Sequence, residues 1–294
     1  MTLTDNLETA RRSGAESLGK VVTVTEKPVS TTSSIQSSFA MRGFFHLFIW
    51  CLPLTGLAFA QADQSGPDKV PDAIAKDAVG RIKQGIILQA DVDRLAAAGA
   101  VQVIPELKEQ FALSQDEVGK GRLASALVKL GDKDVTYWDY LVKEARSAIE
   151  SDTPSPMQFD SKGAFIKGPS PEFIAWAKAR NVTTDSALEA AMYRLPSKVV
   201  FLGATGDRRA VPLLRQALSS ANYMIQIFAA QELAKLQDKA SIPLIIEACR
   251  RAPADVASAI AAHSLARFDD STAQSAAKAF PPAGSSKAIG EDKR

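Results

Sequence analysis

Residues 227–238 read IFAAQELAKLQD, and 32 residues further on residues 259–270 read AIAAHSLARFDD. A third copy, LASALVKLGD, occupies residues 123–132. A unit that recurs every ~30–40 residues is too small to bury its own apolar face and must set it against a neighbouring copy. Ala124, Leu127, Lys129, Leu130 and Asp132 correspond to Ala230, Leu233, Lys235, Leu236 and Asp238, and to Ala262, Leu265, Arg267, Phe268 and Asp270. Ile225, Ala229, Leu233 and Leu236 form one stripe of an α-helix, and Ala257, Ala261, Leu265 and Phe268 repeat it. The alanines admit a neighbouring helix closely, and Leu or Phe fills the remaining volume. The Asp that closes each copy is placed to cap the next helix, its carboxylate accepting from free backbone N–H groups.

A second pattern follows each closing Asp. DRRAVPLL at residues 207–214 corresponds to DKASIPLI at 238–245, with Pro212 and Pro243 separated by 31 residues. VIPEL at 103–107 is an earlier version with Pro105. Proline costs least at a helix start, where several N–H groups lack intrahelical partners. Each unit therefore reads as a helix opened by an apolar-Pro-x-Leu segment, a turn, a helix with the Ala-x-x-Leu stripe, and a closing turn. These motifs resemble the HEAT-repeat family, in particular the short bacterial HEAT-like units also found in phycobilisome lyases, over roughly residues 90–150 and 184–280. The resemblance implies an all-α fold, a right-handed α-α superhelix (a HEAT-like solenoid) of antiparallel helix pairs. It also implies a non-catalytic role as a scaffold that binds another protein along its concave surface. The lyase members suggest an alternative, an accessory protein that holds a chromophore or metabolite, but the matching residues are structural ones.

Composition agrees with a helical chain. Aromatics make up 7% of it, Ala and Leu dominate, and no run alternates β-branched residues. With 35 basic and 33 acidic side chains the net charge is only +2, so no bulk electrostatic attraction to nucleic acid or to an anionic membrane follows.

Residues 41–61, MRGFFHLFIWCLPLTGLAFAQ, have a basic start, an apolar stretch and a small-x-small end at Ala58-Phe59-Ala60. They read as a secretory signal peptide (41–60) cleaved near Ala60, which places the protein in the periplasm or outside the cell. The polar residues 1–40 that precede it read as a disordered extension from a mis-assigned start, with Met41 as the initiator. The other reading keeps Met1 and makes the apolar run an uncleaved anchor for a structural envelope component, with the repeats outside the cytoplasm; a membrane contact then comes only through that segment. Residues 61–70 are a linker, 71–150 the N-terminal helical repeats, 151–170 an inserted loop, 171–280 the C-terminal HEAT-like repeats, and 281–294 a disordered tail. A monomer is expected.

Cleavage would remove Cys51 and His46, leaving Cys249 and His263 alone. One cysteine excludes an intramolecular disulfide, and a lone His without a Cys pair argues against a transition-metal site. No Gly-x-Ser-x-Gly elbow and no phosphate loop is present, so no catalytic residue and no cofactor is expected. Asp91 and Asp93, near a helix start, are expected to cap and to complement the dipole. Asn181-Val-Thr is a glycosylation sequon by spacing. The aromatic groups at 137–140 and 173–176 are expected to pack: Trp138 and Leu141 inward, the tyrosines against the insertion, and Phe173 and Trp176 so as to hold the inserted hairpin onto the array. Repeat phase places Gln231, Lys235, His263 and Arg267 away from the apolar stripe, as binding candidates. Arg208 and Arg209 join them because a helix start gives a cation no benefit from the dipole.

Overall fold

A computed structural model describes residues 72–283. The expected extension (1–40), signal peptide (41–60), linker (61–70) and most of the tail (284–294) lie outside the described residues. Thirteen α-helices and one small sheet appear among the described residues. The helices α1 (Asp72–Lys83), α2 (Gln89–Ala97), α3 (Ile104–Leu113), α4 (Glu117–Lys129) and α5 (Val135–Ile149) come first. A hairpin follows, β1 (Met157–Phe159) and β2 (Phe165–Pro169). Then come α6 (Pro171–Ala179), α7 (Thr184–Glu189), α8 (Leu195–Ala204), α9 (Val211–Ala217), α10 (Tyr223–Lys235), α11 (Ile242–Arg251), α12 (Ala254–His263) and α13 (Ser271–Ala277).

The local signals work as read. Pro105, Pro212 and Pro243 each sit in the first turn of a helix, and each helix follows a three-residue 3-10 turn (Val101–Val103, Arg208–Ala210, Lys239–Ser241). Asp116, Asp134, Asn222 and Asp270 cap α4, α5, α10 and α13 through their side chains. The stripe residues Ala229, Leu233, Ala257, Ala261, Leu265 and Phe268 are all buried. The second of these stripes, Ala257 to Phe268, survives a break in its helix: α12 ends at His263, and Ser264, at φ −128 and ψ −70, passes the chain into a 3-10 turn. The hydroxyl of Ser264 donates back to the Ile260 carbonyl at 2.6 Å.

Packing arranges the helices as pairs: α1 with α2, α3 with α4, α5 with α8, α9 with α10, and α11 with α12. The second helix of each pair also meets the second helix of the next, giving the series α2, α4, α8, α10, α12. One apolar core runs along this series from Ala78 to Ala273. Two glycines set the closest approaches. A Cβ at Gly121 of α4 would lie 2.3 Å from a ring carbon of Phe201 in α8, and one at Gly203 of α8 would lie 2.5 Å from the Glu232 side chain in α10. Gly121→Ala is therefore expected to destabilise the fold by about 1–2 kcal/mol, because the buried Phe201 ring has little room to yield. Urea melting of the variant checks this.

Three expectations need correction here. Part of the segment expected as an inserted loop is an antiparallel hairpin, with Phe159 opposite Phe165 and an irregularity at Met157/Gln158. Its turn is built by Asp160, whose carboxylate accepts from the Lys162 and Ala164 N–H groups at 2.8 Å, and by Gly163 at φ +77. Strands of three and five residues are too short to show an alternating pattern. The expected insertion is also too short. Since α5 pairs with α8, residues 150–194 stand inside one helix pair, and α6 and α7 are part of the excursion. These two helices close on a satellite core of Phe173, Ala177, Ala187 and Ala191, with Trp176 stacked on Phe173; the aromatic group was expected on the array. Pro196, near the start of α8, is preceded by a π turn at Ala190–Arg194. A wider turn absorbs the hydrogen bond that proline cannot donate.

The aromatic group on α5 is rearranged as well. Tyr137 is buried where Trp138 was expected, and Tyr137 and Tyr140 both meet Phe111 of α3 edge-on, at 5.0 and 5.3 Å, away from the insertion. Trp138 is half-buried under the Arg209 guanidinium, 4.2 Å from the ring centre. The first residues beyond Phe280 are held too: the Ala283 N–H donates to Asp255 at 2.9 Å.

Candidate protein-binding surface

The series α2, α4, α8, α10, α12 carries the expected candidates. Gln231 and Lys235 lie one turn apart on α10, Lys235 exposed and Gln231 half-buried with its Oε1 unpartnered. His263 ends α12, half-buried, and Arg267 is exposed on the following turn. Burial, followed by the nearby Arg267 charge, holds the His263 pKa below the ordinary histidine value, so the ring is neutral at pH 7. The neighbouring helices α10 and α12 bring these four residues onto adjacent elements.

The arginine pair divides. Arg208 reaches the closing turn of α10, donating to Asp238 at 3.1 Å. Arg209 turns the other way, to Asp207 and over Trp138 of α5. Both cations are exposed yet carry intramolecular partners. Arg208 and Arg209 thus face different neighbours, the closing turn of α10 and Trp138 of α5.

Asp238 shows why the closing aspartates differ. It makes no cap to the next helix, contrary to expectation. It accepts from Arg215 at 2.6 and 3.2 Å, from Arg208, and from the Ser241 hydroxyl, to which Arg215 also donates at 2.8 Å. Burial pushes its pKa up, but the Ser241 and Arg215 hydrogen bonds and the two guanidinium charges bring it below the ordinary aspartate value. The Asp132 carboxylate likewise turns to a cation, Lys108, at 2.8 Å. Lys108 and Arg215 both stand three residues after the helix-opening proline, Pro105 and Pro212. After Pro243 that place holds Ile246, and there the closing Asp270 caps α13 instead. The two closing aspartates that turn away from the next helix are the two with a cation at this position. Asp91 likewise departs from the capping role: it is buried and forked by Arg81 at 2.7 and 2.9 Å, which lowers its pKa.

Gln237 occupies the closing-turn place that Gly131 fills in the first copy, at φ +50 against +82. A left-handed non-glycine residue costs roughly 1–2 kcal/mol. Its side chain offsets that by donating to the Ala234 and Arg267 carbonyls (2.8 and 3.0 Å) and accepting from the Asp269 N–H (2.9 Å), which ties the fourth pair to the fifth.

Glu232, which sequence reasoning passed over, is wholly buried on α10 against Gly203. One carboxylate oxygen accepts from Lys235 at 2.6 Å, and the other has no partner. Burial raises its pKa; Lys235 and the more distant Lys129 oppose the rise, and Asp93 adds to it. The repeat alignment held the signal: Glu232 corresponds to Ala126 and Ser264, both fully buried.

Cys249 is buried in α11, its thiol pushed up to about 12 by burial, as suits a small core side chain rather than a nucleophile. Among the described residues no group of three or more His, Cys, Asp and Glu side chains is placed to hold a metal ion. No helix there is long and apolar enough to cross a membrane.

Residues 199–266, from α8 through α12, match the family HEAT repeats, which supports a HEAT-repeat relationship for this part of the chain. HEAT repeats commonly mediate protein–protein interaction and are generally non-catalytic. No curated protein and no solved structure matches the chain.

Proposed function

We propose that this chain is a non-catalytic scaffold that binds another protein along the exposed side of the α2–α4–α8–α10–α12 series. The observation that carries the reading is the series itself: second helices stacked on one another over a continuous core, the last three of them falling largely in the segment 199–266 that matches HEAT repeats. Stacking of this kind is how a right-handed solenoid generates an extended concave surface. Gln231, Lys235, His263 and Arg267 are its proposed contacts, mixing a cation pair with a neutral imidazole and a half-buried amide. The signal-like residues 41–60 further suggest that the partner is met in the periplasm or outside the cell.

The test uses the full-length chain and a variant with Gln231, Lys235, His263 and Arg267 all replaced by alanine. A partner captured by the wild-type chain from an envelope extract is expected to bind the variant about tenfold more weakly or less, since few contacts carry most of an interface's free energy. Circular dichroism should show the variant folded. Equal binding by both chains would place the interface elsewhere.

A further inference from the structure

We propose that residues 150–194 are a strap that holds the third, fourth and fifth helix pairs in fixed mutual placement, with Asp255 as its latch. The excursion leaves from the end of α5 and returns at α8, both of the third pair. On the way it ties down the starts of two later second helices.

The first tie is at α10, in the fourth pair. Asn222, 1% exposed, caps Met224 N–H through its Oδ1 at 2.9 Å and donates through Nδ2 to the Ala191 carbonyl at 2.7 Å. The next residue, Tyr223, meets Phe159 of β1 edge-on at 5.7 Å. The second tie is at α12, in the fifth pair. The Asp255 N–H donates to the Gly163 carbonyl at 3.0 Å, and the Asp255 Oδ2 accepts from the Phe165 N–H at 2.8 Å, across 90 residues of sequence. The other oxygen, Oδ1, accepts from the Ala283 N–H at 2.9 Å. One carboxylate therefore joins the hairpin tip, the start of α12 and the segment beyond α13. Gly163 makes the approach feasible: it sits at φ +77, and a Cβ there would lie 2.5 Å from the Ala254 nitrogen.

Pairs that touch only their neighbours flex by small rotations that add along an array. A tie from the third pair to the fifth removes such a freedom and fixes the shape that α8, α10 and α12 present. This concerns the array's own shape and stands whichever partner the surface takes.

Hydrogen exchange on the full-length chain tests the strap in two variants that break the latch by different means. Asp255→Ala removes both acceptor oxygens, and Gly163→Ala forces the hairpin tip apart from the start of α12, where its Cβ would meet the Ala254 nitrogen. In each, amides of residues 157–169 and of the first turns of α10 and α12 are expected to exchange about tenfold faster or more, while α2 and α4 stay as in the wild type. Faster exchange confined to Asp255 and Ala283, with 157–169 and 222–224 unchanged, would reduce the latch to a local contact and overturn the proposal. Equal acceleration in α2 and α4 would show that the strap is no separable element, and would overturn it as well.

Discussion

Asp238→Ala is expected to destabilise the protein by roughly 2–3 kcal/mol at neutral pH. The carboxylate is buried, and its removal leaves the buried Ser241 hydroxyl and the half-buried Arg215 without their acceptor, along with one bond from the exposed Arg208. The loss exceeds that of an ordinary surface ion pair because two elements, α9 and the start of α11, converge on the same group. The sign with pH follows from the direction of the shift. The folded pKa lies below the ordinary value, so the stabilisation is complete above the unfolded pKa near 3.8 and is lost as pH falls through the folded one. Denaturant melts should therefore separate wild type from Asp238→Ala most at pH 7, and the gap should narrow as pH falls below 3.8. A constant gap across that range would assign the effect to packing rather than charge.

Glu232 should show the opposite slope. Its folded pKa is raised, so the stability linked to the protonated form is present below the unfolded pKa near 4.5 and is lost as pH rises through the folded value. Glu232→Met keeps a similar volume beside Gly203 and removes the titration. The variant is expected to match the wild type at pH 4–5 and to exceed it by about 1–3 kcal/mol at pH 8, the penalty of a buried oxygen without a partner. Lys235, half exposed at 49%, regains water when its partner is gone. Parallel stability curves for the two proteins from pH 4 to 8 would show that Glu232 keeps one ionisation state throughout.

These two residues mark how far the repeat pattern could be read. Stripe positions such as Leu233 and Leu265 and caps such as Asp270 were legible, because each depends on chemistry within about one helical turn. The closing aspartates looked alike in the alignment, yet Asp238 turned from capping to Arg215, 23 residues earlier. The signal, a cation three residues past the helix-opening proline, was present but has meaning only once the pairs are packed. For the binding surface, the phase of Gln231, Lys235, His263 and Arg267 could be assigned from the repeats. That Arg208 and Arg209 point to opposite neighbours, one to Asp238 and the other to Trp138, could not.

The order of helices, their starts at proline and aspartate, and the apolar spine they share follow from residues a few places apart, whose geometry one or two turns of backbone suffice to set. The pairing of α5 with α8 around an excursion of 150–194 belongs to a different scale. So does the hairpin whose strands are too short to announce themselves, and the reach of its tip to Asp255. They rest on contacts between segments 30 to 90 residues apart, such as Asn222 with Ala191 and Phe165 with Asp255. The entropy of closing such loops changes only slowly with their length, so length by itself does not choose among partners. What selects the arrangement is the fit of buried groups, Gly121 against Phe201 and Gly203 against Glu232, which exists only after the helices have met.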